Sequence, residues 1–476
     1  MPQRVQPRSL PIKLQRKVFA PIDNASLVFF RIAFGIFMLW MVQLTWSLHR
    51  ISRWWIDPPF LFKYPGFSWV QPWPGNGLYV HWILLGVFAF FLTIGFLYRI
   101  SAALFCVSHT YFFLLDQGRY VNHFYLISLL SFLLIFVPAN RALSVDAWLW
   151  PKLRSSTAPA WSLWLLRTQV AALYFFAGIA KIAPDWLHGE PLRGWFKQEI
   201  GSPLLIRFLG QDWVPYVASY ASLAFDLLIV PFLLWRRTRL GAFCVAVIFH
   251  LLNAQLFPID IFPWLAIAAT TLFLSPSWPR RVISILGRKT ASPAIQAAPL
   301  PSNGKRVLVL SFLTVYVAIQ ILVPLRHFLY PGGIEWTYME HRFAWQMMLE
   351  RHVTHTFFYV TDPNNGQEFR VRSRQYLDIE QTTHMSWRPD MVRQFAHFLA
   401  TKFPASGPKP LQVQVRMYVS LNGRKPQLFF DPNVDLAAEP PFRGRPRWLL
   451  QIHDPLPLPG QDFSKDLISS TPPAID

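Results

Sequence analysis

The sequence has little cysteine and few charged residues for its length. Two of its 476 residues are cysteine, Cys106 and Cys244, and each lies inside an apolar run. We therefore expect buried thiols that act as small hydrophobic groups rather than a disulfide or a metal pair. Charged residues make up 15% of the chain, against 53% hydrophobic and 16% aromatic residues. This composition excludes an ordinary soluble globular protein and indicates membrane-spanning segments.

The sequence also lacks the common motifs of nucleotide-driven transporters and hydrolases. No P-loop, GxGxxG, HExxH or GxSxG motif stands in a convincing context. A formal net charge of +20 would suit a nucleic-acid ligand. The basic residues, however, form short clusters between apolar runs, where the positive-inside rule places them. We expect contact with the lipid bilayer, no nucleic acid, and no site that requires a metal.

Nine apolar runs are candidates for membrane-spanning helices. They are Ala25–Leu48, Leu78–Tyr98, Ser101–Leu115, Val121–Val137, Ser162–Ile182, Trp213–Trp235, Leu240–Leu256, Ile261–Leu274 and Val307–Leu325. Placing the amino terminus inside gives the inner loops more basic residues than the outer loops. This asymmetry predicts a cytoplasmic amino terminus and an extracytoplasmic carboxyl-terminal segment.

The segment after the ninth run has the pattern of a small α+β domain. Three stretches alternate like strands, His355–Asp362, Glu368–Arg374 and Leu411–Leu421, whereas Phe343–Met348 and Asp390–Phe403 are predicted to be helical. The predicted fold is an α-helical polytopic membrane protein of about nine spans followed by this domain. The predicted organisation is a basic amino terminus (1–23), eight spans (24–275), a basic linker (276–305), a ninth span (306–326), an extracytoplasmic domain (327–442) and a Pro-rich, partly disordered tail (443–476).

Polar residues of three predicted spans converge at the outer leaflet. Lys181 lies about twenty residues into its span, and a rise of roughly 1.5 Å per residue puts it near the outer surface. Asn122 and His123 open one span on that side, and His250, Asn253 and Gln255 close another. An ionisable group in a membrane segment is a candidate functional residue. Lys181 could instead extend to the interface or pair with Asp185, and either histidine could be structural.

Three further charged residues lie deeper in the predicted spans. We expect Asp226 to form an interhelical ion pair with Arg31 or Arg167, because unpaired charge in hydrocarbon is expensive. Lys181, by contrast, is flanked by Ile179, Ala180, Ile182 and Ala183, and is partly desolvated. Desolvation makes a neutral amine available as a general base. Such a base suits a lipid-soluble acid such as a phenol or hydroquinone.

Seven stretches of the sequence resemble the vitamin K-dependent γ-glutamyl carboxylase family, whose membrane part is called the HTTM domain. The stretches are Ala20–Ser26, Phe30–Gly35, Val121–Leu126, Tyr174–Trp186, Phe249–Phe257, Trp345–Met348 and Phe430–Asp435, and the resemblance runs from about residue 15 to 440. It implies that Lys181 deprotonates reduced vitamin K, whose reaction with O₂ yields a strong base. That base removes the γ-proton of a peptide glutamate, and the carbanion captures CO₂.

The resemblance also implies that His123 assists carboxylation and that Asn122 places the quinol or the lysine. His250, Asn253 and Gln255 match a family stretch, and we assign them to quinol binding from their predicted topology. The chain departs from animal members in its length, in its lack of their disulfide, and in having Ala180 where they have a second lysine. These departures suggest a bacterial inner-membrane relative. Two alternatives are a quinol-oxidising or other lipid-redox enzyme without carboxylation, and a non-enzymatic quinone or lipid carrier.

Overall fold

Among the described residues, nine apolar helices build the amino-terminal part of the protein, which we call the helical domain. A computed structural model describes residues 11–198, 207–287, 299–330, 332–442, 444–458 and 461–469. The apolar helices are α1 (Ala25–Ser47), α2 (Gly77–Ile94), α3 (Tyr98–Leu115), α4 (Asn122–Phe136), α5 (Ala160–Ala180), α6 (Trp213–Leu234), α7 (Arg239–Leu256), α8 (Phe262–Thr270) and α9 (Asn303–Leu325). Each of them lies within or overlaps one predicted run, so the predicted membrane fold is confirmed.

Seven of these helices are long and apolar enough to cross a membrane by length and composition. The count of nine spans is therefore only approximate, because α4 and α8 are shorter. At about 1.5 Å per residue, the 15 residues of α4 rise roughly 22 Å, less than the thickness of a hydrocarbon core. A 3-10 turn, Thr271–Phe273, extends α8.

Short helices and one small ribbon precede, connect or follow the apolar helices. The ribbon pairs β1 (Pro21–Asp23) with β2 (Thr157–Pro159) in antiparallel register. The short helices are Ile12–Val18, Ser52–Ile56, Gln117–Arg119, Val145–Leu149, Pro151–Leu153, Pro184–Leu187, Leu192–Gln198, Trp278–Ile285, Arg326–Leu329, Ile334–Thr337, Ser373–Gln375 and Lys465–Ser469. Pro184 stands at the first position of its helix, where its missing N–H costs nothing.

Arg31 and Arg167 are buried and bind backbone carbonyls, so the prediction that one of them pairs with Asp226 was wrong. Arg31 donates to the carbonyl of Ala139 at 3.0 Å, and Arg167 donates to the carbonyl of Leu272 at 2.8 Å. Both acceptors lie just beyond or at a helix end, where carbonyl groups lack intrahelical partners. The carbonyl groups thus take the place of a carboxylate as hydrogen-bond acceptors for both arginines.

The cysteines differ from their prediction as well. Cys106 is half-buried and Cys244 is exposed on the surface of α7. An apolar helix in a bilayer places such a thiol against lipid, and an apolar sequence alone does not distinguish lipid from protein surroundings.

The carboxyl-terminal domain, which we call the sheet domain, contains one four-stranded antiparallel sheet. Its strands are β3 (His352–Asp362), β4 (Gln367–Val371), β5 (Gln412–Leu421) and β6 (Gln427–Leu428), in the order β4-β3-β5-β6. Along β5, the residues Val413, Val415, Met417 and Val419 are buried and alternate with more exposed ones, the period-2 pattern of a half-buried strand. The predicted strands are present, with ends shifted by one to three residues.

Two helices, α10 (Ile379–Met385) and α11 (Pro389–Lys402), belong to the sheet domain. Helix α10 begins with a capping box between Asp378 and Gln381, and α11 begins with Pro389 at its first position. The ring of Phe395 on α11 packs edge-on against Phe358 of β3, with centroids 4.9 Å apart. Helix α11 matches its prediction closely.

The segment Phe343–Met348 is a loop, so its predicted helix was wrong. Phe343, Trp345 and Met348 all have positive φ angles, which a helix does not allow. Trp345 is fully buried in the core of the helical domain and its ring lies 5.0 Å from Tyr125 of α4. The apolar periodicity of this segment reflects insertion between the two domains.

Part of the Pro-rich tail, which was predicted to be partly disordered, packs against the sheet domain. Trp448 and Leu449 are buried in the core of the sheet domain, and Leu449 forms a β-bridge with Phe430. Residues 470–476 lie outside the described residues. The predicted domain boundary at residue 443 therefore falls before side chains that complete the sheet-domain core.

Charged and polar contacts hold the sheet domain against one end of the helical domain. Arg119 pairs with Asp378 and, at 2.6 Å, with Glu380. The backbone of Lys63 exchanges two hydrogen bonds with the Gln394 amide, at 2.9 and 3.1 Å. These contacts cover the end of the bundle at which α4 begins and α5 ends.

Candidate active site

A largely apolar cavity of about 760 Å³ lies between the helical bundle and the sheet domain. Its walls come from α4, α5, α6, α7 and α8, from the Pro184–Leu187 and Leu192–Gln198 turns, and from the sheet domain. The aromatic lining includes Trp186, Trp195, Phe225, Phe249, Phe262 and Trp387. A cavity of this size and composition is typical of a small-molecule site.

Lys181 lines this cavity and forms a buried ion pair. Its Nζ lies 2.6 Å from Oδ2 of Asp226, and the two residues are only 7% and 5% exposed. The Nζ also lies 5.2 Å from the centre of the Trp186 ring. The expected alternatives for Lys181 are therefore wrong: it is not extended to the surface, and Asp185 pairs with Arg424 at 2.6 Å instead.

The local sequence explains how Lys181 and Asp226 meet. Helix α5 ends at Ala180, and Lys181 is its cap, with its backbone N–H bonded to the carbonyl of Gly178 at 3.0 Å. A Cβ at Gly178 would lie 2.6 Å from the Leu227 side chain, so the glycine allows α6 to approach α5 closely. Asp226 precedes Leu227 and is thereby brought beside Lys181. Counting residues from the span ends predicted that Asp226 lies deeper than Lys181. The contact between their side chains shows that the two lie at the same level.

His250 is held by a hydrogen-bonded chain at the floor of the cavity. Its Nε2 lies 2.7 Å from the hydroxyl of Tyr174, which lies 3.0 Å from Oγ1 of Thr270. Among the described residues, the Nδ1 of His250 is buried without a hydrogen-bond partner. The imidazole is therefore fixed in orientation and keeps one nitrogen available to a ligand.

Asn122 and His123 begin α4 on the opposite wall. The Asn122 amide donates to the carbonyl of Gln346 at 2.7 Å, and its oxygen accepts from the Tyr120 hydroxyl at 3.1 Å. These contacts tie the start of α4 to the inserted loop around Trp345. The Nε2 of His123 is buried, and no partner for it exists within the described part of the chain.

Five of the six predicted site residues line this one cavity: Lys181, His123, Asn122, His250 and Asn253. The Asn253 amide donates to the carbonyl of Phe249 in its own helix at 3.0 Å. Gln255 is exposed and does not line the cavity, so the structure does not join it to the others. Helical spacing accounts for this result, because Gln255 lies five residues after His250 and two after Asn253 and so points to another face.

Sequence reasoning missed several cavity residues of the sheet domain. Glu350 is buried and accepts a hydrogen bond from the Tyr338 hydroxyl at 3.1 Å, while its Oε1 has no partner among the described residues. Burial, with a further contribution from Glu335, raises the pKa of Glu350 to about 8. Arg388 is 6% exposed, and burial beside Arg342 lowers its pKa to about 10. No sequence pattern placed these residues against the membrane helices.

Two family models match the chain and together cover most of it. One, the HTTM domain, matches residues 19–278, and the other, the vitamin K-dependent gamma-carboxylase lumenal domain, matches residues 305–455. The chain belongs to the vitamin K-dependent gamma-carboxylase family. No solved structure matches it.

The two matched regions of this gamma-carboxylase family member correspond to the two sides of the cavity. Lys181, Asp226, His123 and His250 come from the HTTM region, and Tyr338, Glu350 and Arg388 come from the region matched by the lumenal-domain model. The chain is thus an integral membrane protein of a carboxylase family, with its candidate site at the junction of the two regions.

Proposed function

We propose that the protein is a membrane enzyme that couples oxidation of a reduced quinone of the vitamin K type by O₂ to carboxylation of peptide glutamate with CO₂. The observation that carries this proposal is the Lys181–Asp226 pair, buried at 2.6 Å inside an apolar cavity. The membership in the carboxylase family supports the same reaction.

Lys181 is the proposed proton acceptor. The short contact between Lys181 and Asp226 would let a proton move between the two groups, and its transfer to the Asp226 carboxylate would leave Lys181 as an amine. The amine can then take the proton of a quinol hydroxyl and become an ammonium ion beside the bound anion. Asp226 holds the lysine side chain in place through both states.

The lining of the cavity fits a quinol. Phe225, Phe249 and Phe262 offer flat apolar surfaces to an aromatic ring system. The unpartnered nitrogen atoms of His123 and His250 offer hydrogen bonds to its two hydroxyl groups. When bound, reduced vitamin K together with O₂ supplies a base stronger than any side chain at neutral pH. Neither O₂ nor CO₂ requires a charged binding group.

We assign the second half-reaction to the wall formed by His123 and the sheet domain. His123 assists the carboxylation step, and Asn122 keeps it in place through the Gln346 carbonyl. The sheet domain would hold the peptide over the cavity, a role that a reaction on lipid alone does not need. The bias of basic residues between loops supports an extracytoplasmic location for this domain.

The test uses purified protein in nanodiscs with reduced vitamin K or menaquinol, O₂, a glutamate-containing peptide and labelled bicarbonate. Quinone epoxide and peptide-bound label are both measured in wild type, Lys181→Met and His123→Ala. Lys152→Met and His188→Ala are matched controls, because both residues are exposed and lie outside the cavity.

We expect both products in wild type and in the controls, neither product in Lys181→Met, and epoxide without label in His123→Ala. Epoxide without label in wild type, over many peptides, would instead establish a quinol-oxidising enzyme that does not carboxylate. Neither product in wild type, while a competent carboxylase works in the same nanodiscs, would contradict the enzyme assignment for these substrates.

A further inference from the structure

Arg388 is a buried cation that faces the cavity, and no carboxylate among the described residues forms an ion pair with it, although the Asp390 charge acts on it from a distance. It caps the amino-terminal end of α11 and is 6% exposed. Its Nη1 donates a long hydrogen bond, 3.4 Å, to the carbonyl of Gln117, and its Nε has no partner. Within the described part of the chain, none of the ion pairs includes Arg388. A buried charge of this kind is unfavourable unless an opposite charge pairs with it.

The acidic groups around Arg388 are already engaged. Asp390 pairs with Arg342 at 3.0 Å, and Asp378 and Glu380 pair with Arg119. Glu350, with a pKa raised by burial, holds its proton at neutral pH and accepts from Tyr338. The protein therefore leaves the Arg388 charge for a group that it does not itself provide.

The other cation of the cavity does not compete for the same ligand. Lys181 is already engaged by Asp226 at 2.6 Å, whereas the planar guanidinium of Arg388 keeps donors that match the two oxygens of a carboxylate. We propose that Arg388 binds the carboxylate of the peptide glutamate that enters the cavity, which makes it a specificity-determining residue. This inference rests on the proposed function.

Binding by Arg388 would also assist the reaction at the glutamate. When the γ C–H bond breaks, the proton goes to the base, and the remaining electron pair spreads into the adjacent carboxylate. That carboxylate then carries a second negative charge, which the guanidinium stabilises more strongly than the first. Removal of Arg388 should therefore lower kcat for carboxylation as well as raise KM for the peptide.

The test measures binding of a fluorescent peptide to the full-length protein in nanodiscs, in the absence of quinol. Glutamate and glutamine versions of the peptide are compared in wild type, Arg388→Gln, Arg388→Lys and the exposed control Arg374→Gln. We expect Arg388→Gln to weaken the binding of the glutamate peptide about ten- to hundredfold, the typical effect of losing a charged hydrogen bond. The affinity for the glutamine peptide should stay unchanged. Arg388→Lys, which keeps the charge, should bind with intermediate affinity.

Equal effects on both peptides, or no effect, would overturn the inference, and Arg388→Lys serves for this comparison if Arg388→Gln does not fold. Competition with bicarbonate and acetate identifies the source of the carboxylate. A small carboxylate that needs Arg388, together with a glutamate peptide that does not, would assign the site to the small molecule and overturn the peptide assignment. Arg388-dependent peptide binding without carboxylation would support the site while the proposed function fails. Full carboxylation by Arg388→Gln would support the proposed function and overturn the role of Arg388.

Discussion

The buried Lys181–Asp226 pair allows a test that separates structural from chemical roles of the lysine. The perturbations are Lys181→Met, Asp226→Leu and the double variant. Both side chains are less than a tenth exposed and are joined at 2.6 Å, so each single variant leaves one ionisable group without its partner. The double variant removes both groups and replaces them with apolar side chains. Because both residues line an open cavity, the larger leucine has room.

The expected magnitudes follow from burial. Removing one partner of a buried ion pair typically destabilises a protein by about 3–5 kcal/mol, whereas replacing both with apolar groups is close to neutral. Protonation of Asp226 in the Lys181→Met variant relieves part of its penalty, so about 2–3 kcal/mol is expected there. The coupling between the two sites should exceed about 2 kcal/mol, well above the error of such cycles.

Stability is measured by unfolding in a titration with a denaturing detergent. Activity is measured as the formation of epoxide from the quinol. We expect the double variant to recover most of the wild-type stability and none of the activity, because it has no proton acceptor. A double variant that is both stable and active would refute the role of Lys181 as the base. Additive losses of stability would refute the ion pair itself.

Three further predictions concern packing, protonation and domain contact. Gly178→Ala should destabilise the protein by about 1–3 kcal/mol, because the new Cβ would lie 2.6 Å from the Leu227 side chain. Gly241→Ala is the control and should not destabilise it, because a Cβ there meets nothing within 4 Å. Thermal unfolding measures both variants. Glu350 binds its proton more tightly when folded, with a pKa raised from 4.5 to about 8, so its contribution to stability is complete below pH 4.5 and is lost as pH rises to 8. Across that range the unfolding free energy of wild type should fall by up to about 5 kcal/mol, at 1.36 kcal/mol per pKa unit, and this fall should be absent in Glu350→Gln. Arg119→Gln should weaken the contact between the sheet domain and the helical domain by about 3 kcal/mol, because the ion pairs of Arg119 are lost. Limited proteolysis at the domain junction should then be faster, and unchanged cleavage would contradict a role of Arg119 in this contact.

The features predicted best from the sequence were those set by local apolar content. Long apolar runs located the helices, and strand alternation located β3 and β5, because each pattern reflects burial of a single element. Lys181, His123 and His250 were predicted to meet because topology alone puts the ends of their helices on one side of the bundle.

What the sequence did not predict depends on the packing of one element on another. Asp226 was recognised as a costly charge, but its partner followed from the close approach of α5 and α6 at Gly178, which no periodicity shows. The loop at Phe343–Met348 has an apolar pattern because Trp345 packs into the other domain. Arg388 and Glu350 could not be placed at the site without knowledge of how the sheet domain packs on the bundle.

The insertion of Trp345 into the helical domain has a consequence for biosynthesis. The ring fills a position among helices that are complete once about 270 residues have been made, yet it is synthesised some 75 residues later. At roughly 5–20 residues per second, the bundle waits about 4–15 s with an open gap at its core. During this interval the nascent helices present an unfilled apolar slot to the insertion machinery and its chaperones. A chain truncated before residue 345 should therefore keep this gap among its membrane helices, even though the helices themselves have been synthesised.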